Sequence, residues 1–321
     1  PSGTTRAATR GNSPSRASGT TSEMRGAPDR RPPAELLRFG VVNLDKPPGP
    51  SAHEVSAWVR DAVDDALADL GAEPAGRAAH AGTLDPKVTG SLPVLLGDAT
   101  RLVERFRDAP KEYVAVLELH GPPPTDFADV AGAFEGELYQ KPPRKSAVVR
   151  RLRTREVYDL DVLEVDGRRA LLRVRCESGT YVRKLCHDLG LALGTGAHMG
   201  DLRRVGTGGF DDRDLVSLHD LVDALAFAVG GDADPLREAV SPAERLLDDL
   251  PTVVVAPSAA AQVADGAPVY APGVLEVRGD PARGDRVACR TPDGAAVCLG
   301  RLVGDPGADD GEVVDLERVL V

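Results

Sequence analysis

The chain has 321 residues, 42% of them hydrophobic, and a formal net charge of −11 from 50 acidic against 39 basic side chains. This length accommodates a catalytic domain plus a small accessory one, and the apolar share is that of a globular protein with a sizeable core. The acid excess argues against a surface that is basic throughout, so any phosphate contact must come from a local cluster of bases.

Residues 1–34 are rich in Ser, Thr, Gly, Pro, Ala and Arg and almost free of large apolar side chains, which predicts a disordered tail. From Leu36 the pattern is globular. Phe39-Gly-Val-Val-Asn-Leu44 reads as a strand, and the rigid turn Asp45-Lys46-Pro-Pro-Gly-Pro50 breaks it, leaving Lys46 at the sheet's edge. Ser51 with Glu54 forms a capping box for a helix whose apolar face is Val55, Trp58 and Val59. Residues 61–76 read as the helix end plus a solvated loop. In His80-Ala-Gly-Thr-Leu-Asp85-Pro-Lys-Val-Thr-Gly90 one carboxylate sits before a proline between two glycines. Capping a turn and serving as a poised catalytic group are both open readings for Asp85. Residues 94–106 carry apolar side chains at helical spacing.

Tyr113–Leu119, Val157–Leu163 and Ala170–Cys176 alternate as half-buried strands of a central sheet. From Tyr139 to Arg155 there are seven basic residues and no acid. That segregation favours a phosphate-tracking stripe containing Lys141, Arg144, Lys145, Arg150 and Arg151 over a merely solvated face, with Arg203 and Arg204 as its extension. A helix over 181–193 places Arg183 in its first turn, where the macrodipole is unfavourable to a cation unless an anion compensates; Asp85 is a candidate. The glycines at 194–196 follow this helix rather than opening one, so they are not a dinucleotide fingerprint. An acidic helical connector spans about 215–249, interrupted by Gly230 and Gly231. Five short β runs after Pro251 then predict a small barrel. Strands and helices interleave without a βαβ rhythm, which gives a mixed α+β fold: a catalytic domain over 35–249 and a barrel over 250–321.

Cys176, Cys186, Cys289 and Cys298 show no C-x-x-C spacing, and no His-x-x-x-His exists, so the thiols read as core residues and no metal is expected. No apolar run reaches the roughly 20 residues that span a bilayer. A cytoplasmic protein is the expectation.

The strings Lys46-Pro-Pro-Gly-Pro-Ser, Ala81-Gly-Thr-Leu-Asp85-Pro and Gly179-Thr-Tyr181-Val-Arg183 resemble, in that order, the motifs of the TruB-type pseudouridine synthases. Gln140-Lys-Pro-Pro, Lys184-Leu-Cys-His-Asp-Leu-Gly and Ala197-His-Met-Gly-Asp-Leu-Arg-Arg204 are similar to its archaeal, dyskerin-like branch, and the run from Ser258 to Gly273 is similar to the opening of a PUA domain. The resemblance covers residue 36 onward. It implies a pseudouridine-synthase fold with a mixed, mainly antiparallel sheet, followed by a PUA β-barrel, and it implies isomerisation of uridine in RNA with no cofactor.

Carried over onto matching positions, it makes Asp85 the catalytic aspartate, with Arg183 as its partner. Tyr181 would lie beside the flipped sugar, Tyr113 would stack on the base, Lys46 and Leu202 would line the pocket, and His80 would contact the extruded backbone. The implied partners are tRNA, or rRNA with H/ACA guide RNA and the small proteins of that particle. An RNA-binding scaffold without catalysis, or a tRNA modifier that uses no guide, are the alternative readings.

Overall fold

The computed structural model describes residues 24–141 and 151–321; Arg144, Lys145 and Arg150 lie outside the described residues. Helices α1 (Pro33–Arg38), α2 (Ala52–Asp69), α3 (Phe127–Gly132), α4 (Val182–Ala192), α5 (Leu218–Val229) and α6 (Asp234–Ala239) accompany one large sheet. Its strands are β1 (Gly40–Lys46), β2 (Ala78–His80), β3 (Thr89–Leu96), β4 (Lys111–Leu119), β5 (Gly136–Gln140), β6 (Arg153–Asp166), β7 (Arg169–Cys176), β8 (Ala197–Thr207), β9 (Phe210–Asp211) and β10 (Ser241–Pro242).

The order across this sheet is β10-β1-β3-β8-β4-β7-β6-β5, with β2 on β3 and β9 on β8. Its pairings are antiparallel except β3 with β8, so the expectation of a mixed, mainly antiparallel sheet holds. The parallel contact is short and close. Gly90, at φ +97°, faces Arg204, and a Cβ there would stand 2.2 Å from the Arg204 carbonyl oxygen.

A second sheet, β12 (Val269–Tyr270), β16 (Glu312–Val319), β15 (Ala296–Leu302), β14 (Arg286–Arg290), β11 (Thr252–Val255) and β13 (Val274–Arg278), runs in that spatial order beside helix α7 (Pro257–Ala264). It has six strands where five were expected; the two-residue β12 is too short to carry an alternation signal. Between the two sheets lies an apolar seam. Phe39, Val41, Leu95, Leu102, Phe106 and Phe210 from the first side meet Ala288, Ala296, Leu299 and Leu320 from the second.

Several local expectations are corrected. The ordered chain starts before residue 34, because Arg31 is fully buried in a two-bond pair with Glu244 (2.6 and 2.9 Å) and Leu36 and Leu37 are core residues. The capping box of Ser51 and Glu54 forms, and Val55 and Val59 face the core, but Trp58 is 49% exposed. On a 100°-per-residue wheel Trp58 falls on the flank of the buried stripe, and α2 runs on to Asp69 instead of ending near Asp61. Residues 94–106 are not one helix: β3 continues to Leu96 and a 3₁₀ helix occupies Gly97–Phe106. Among the described residues no helix is long and apolar enough to cross a membrane.

Candidate active site

Asp85 stands on the loop between β2 and β3. Leu84 and Val88, 3% and 4% exposed, anchor this loop in the core, while the Asp85 side chain is 55% exposed. A turn in which Val88 N donates to Asp85 O (2.9 Å) fixes the backbone between these anchors. The carboxylate is thereby presented outward from a rigid seat. Asp85 Oδ2 accepts from Arg183 Nη2, in the first turn of α4, so the cation at the helix N-terminus has the anion that its position requires.

Helix α4 is aimed by its own start. Tyr181 is the N-cap residue; its N–H donates to Gln140 Oε1 (2.9 Å), and its carbonyl accepts from Gln140 Nε2 (3.3 Å). Gln140 is buried at the end of β5, so the edge of the sheet and the helix that carries Arg183 are locked together through one amide side chain. Gln140 was visible in the string Gln140-Lys-Pro-Pro and in the basic run but was given no role in the site.

Lys46 does not line a pocket. It is fully buried, and its Nζ donates to the carbonyls of Pro47, Pro86 and Val88, each at 2.9 Å. Burial lowers its pKa, and its place under the loop makes it a clamp on the backbone that follows Asp85. Arg204 is corrected likewise. It is 1% exposed, and its guanidinium is spent on the Ser91 and Gly82 carbonyls, so it is no phosphate contact. Arg203 faces the other way and pairs with Asp45 through both guanidinium nitrogens (3.0 and 3.1 Å). Lys141 and Arg151 are exposed at the two ends of the segment that lies outside the described residues.

Tyr113 on β4 is half-buried, opposite Arg204 on β8 and Val174 on β7. Burial pushes its phenol above the usual range, and a hydrogen bond and the charge of Arg204 oppose that push. Leu202 is 9% exposed in the core, opposite Ala115. His80 ends β2 just before the loop, with a buried Nδ1 that has no hydrogen-bond partner; burial lowers its pKa, and Arg204 and His53 add to the effect. Burial pushes the Cys176 and Cys186 thiols up to about 12, so they are inert core groups as expected.

Lys111, a further buried cation, donates to the carbonyls of Phe106 (2.8 Å) and Ala109 (2.7 Å). Burial, then Arg204, lower its pKa from 10.5 to about 8, against smaller opposing effects of Cys176 and Asp108. Between those two values the folded chain binds fewer protons at this site than the unfolded chain, so stability rises with pH there. The burial penalty is present in full below pH 8 and is relieved on the way to 10.5, by roughly 3 kcal/mol at most. Urea unfolding across this interval should show that rise in the wild type and its loss in Lys111→Met.

Family models match in four stretches: a DKCLD (NUC011) domain at 13–56, the N-terminal domain of TruB family pseudouridylate synthases at 70–126, the C-terminal domain of tRNA pseudouridylate synthase B at 183–248, and a PUA domain at 251–306. A probable tRNA pseudouridine synthase B of Haloarcula marismortui is 61% identical, over 98% of this chain and all of its own. One from Pyrococcus abyssi is 46% identical over 92% of this chain and 87% of its own. Among solved structures, a Cbf5-Nop10-Gar1 complex is similar at TM-score 0.78 and 44% identity, covering 95% of this chain and 92% of that one. An H/ACA ribonucleoprotein bound to a substrate RNA containing 2′-deoxyuridine is similar at TM-score 0.78 and 42% identity, with the same coverage.

Proposed function

We propose, because the chain belongs to the TruB family of pseudouridylate synthases, that Asp85 is the group with which it isomerises uridine to pseudouridine in RNA. The observation that carries this reading is the ion pair of Asp85 with Arg183: an exposed carboxylate on a clamped loop, held by a cation at a helix start. In the reaction the N1–C1′ bond breaks and C5 bonds to C1′; C5 gives up its proton and N1 carries one, so substrate and product are isomers. No oxidant, reductant or water is consumed.

The uridine must leave its stack to reach an exposed loop, at a cost of a few kcal/mol. An aromatic face recovers about 1–3 kcal/mol per base. Tyr113, beside Arg204 on the sheet, supplies that face to the base, and Tyr181, at the helix N-cap two residues before Arg183, borders the sugar. Leu202 and His80 complete the surroundings from β8 and β2. Lys141 and Arg151, with the basic segment between them, track the RNA backbone.

A division into a catalytic unit over 35–249 and a barrel unit over 250–321 is supported by the sheets: every strand through Ser241–Pro242 belongs to the first and every strand from Thr252 to the second. The second is the PUA unit and holds RNA remote from the reacting nucleotide. Relatives named for tRNA, and neighbours solved with Nop10, Gar1 and a substrate RNA, support two substrate routes in the cytoplasm: tRNA, and RNA presented by an H/ACA guide with its small proteins. Carbodiimide mapping of pseudouridine on bare tRNA and on guide-assembled particles tests this. Product is expected on both; product on tRNA alone removes the guided route, and product on neither leaves an RNA-binding scaffold.

A further inference from the structure

We propose that Arg204 is a positioning residue that holds Tyr113 and both flanks of the Asp85 loop in one fixed arrangement for the isomerisation. The inference rests on the reading of Asp85 as the catalytic group and extends it to a side chain that composition alone assigns to RNA phosphate.

Arg204 lies on β8, opposite Gly90 of β3 on one side and Tyr113 of β4 on the other. Its Nε donates to Ser91 O (2.8 Å), downstream of Asp85, and its Nη2 to Gly82 O (3.1 Å) and Ala81 O (3.5 Å), upstream. Tyr113, its register partner on β4, is the side chain whose phenol acts electrostatically on the guanidinium. One planar fork therefore bridges the start of the loop and the strand that follows it, directly beside the aromatic platform. Lysine, a point donor, cannot serve acceptors set apart in this way. Gly82 takes φ +87° and has no Cβ, which leaves room for the guanidinium; a Cβ there would stand 3.3 Å from Nη1.

The charge is as telling as the geometry. Buried arginines are ordinarily neutralised by carboxylates, as Arg31 is by Glu244. Around Arg204 the acceptors are neutral carbonyls, and Tyr113 is the group whose electrostatics act on it. The uncompensated cation faces the Tyr113 hydroxyl and offsets the effect of burial on it. Arg204 thus sets the position of Asp85 and the hydrogen-bonding state of Tyr113 together. A shift of about 1 Å in such an arrangement costs on the order of 100-fold in rate.

The test compares wild type, Arg204→Lys and Arg204→Gln by single-turnover pseudouridine formation at saturating RNA, RNA affinity, and titration of Tyr113. The last is read as absorbance at 295 nm minus that of the matching Tyr113→Phe protein. Expected are a rate loss of about 100-fold in Arg204→Gln, RNA affinity within about threefold, and a raised Tyr113 midpoint. Arg204→Lys should keep the midpoint, with Cys176 the other titratable neighbour of Tyr113, and still lose rate.

Unchanged rate, a loss in affinity alone, or a rate loss without a midpoint shift in Arg204→Gln overturns the proposal. If neither variant folds, nitrogen-15 spectra of the arginine-labelled wild type decide. An Nε–H resonance should follow the Tyr113 titration and lose that response in Tyr113→Phe; its absence overturns the proposal. Wild type inactive on every RNA would instead overturn the functional reading itself.

Discussion

Asp85→Ala protein is expected to fold, to bind RNA and to make no pseudouridine, with the rate at saturating RNA lower by roughly 10⁴-fold or more, the scale of losing a group in direct contact with the reacting atoms. The retention of fold follows from how the loop is held. Its backbone is fastened by Lys46 at Pro86 and Val88 and by Arg204 at Gly82 and Ser91, and its apolar anchors are Leu84 and Val88; none of these bonds involves the carboxylate. The ion pair with Arg183 is about half-exposed, so its loss changes stability by about 1 kcal/mol or less. Asp85→Asn should behave alike, since the amide keeps the shape and loses the charge. Single-turnover mapping with thermal unfolding in parallel checks both halves, and turnover within tenfold of wild type would remove Asp85 from the reaction.

Arg31→Met should lower stability by roughly 3–5 kcal/mol, the range for breaking a buried pair by removing one partner. Arg31 and Glu244 have side chains 0% and 4% exposed, and the pair uses both guanidinium Nη atoms and both carboxylate oxygens. Glu244 Oε1 also accepts from Ala296 N (3.0 Å), and the Glu244 carbonyl accepts from Arg290 Nη2 (3.1 Å). Arg31→Met therefore leaves a buried carboxylate with one backbone donor at the junction of the two sheets. Arg31→Met combined with Glu244→Leu should recover most of the loss, because an apolar pair of similar volume removes the stranded charge. Urea unfolding at constant salt measures both. A loss below 1 kcal/mol in the single variant would mean that water reaches the pair.

Much of the candidate site was legible because its physics is local. A cation in the first turn of a helix demands an anion, and the Asp-Pro turn offered one; the pair of Arg183 with Asp85 follows that logic. The capping box at Ser51 and the short strands after Pro251 are read from spacing in the same way. The fate of buried cations was not. Lys46 and Arg204 satisfy themselves on backbone carbonyls contributed by distant segments, Lys111 on those of the turn just before it, and composition records only that they are basic. For Arg204 a signal existed: on a strand, Leu202 and Arg204 share a face, and the first is apolar, so the second belongs to the core while Arg203 points away. The packing of residues 24–34 was illegible for another reason. Its burial depends on Glu244 and on a strand near residue 296, which no window of sequence contains.

The same junction constrains the order in which the protein can complete itself. Arg25 donates to Leu320 O and sits over the Phe39 ring at 3.9 Å, and Pro28 lies against Gly294. The first of these contacts spans 295 residues of sequence. During synthesis Arg31 can meet Glu244 before strand β16 exists, whereas the contact of Arg25 with Leu320 must wait until that strand has been made. A nascent protein arrested before residue 320 would carry the whole first sheet and Arg25 but not the carbonyl on which Arg25 closes.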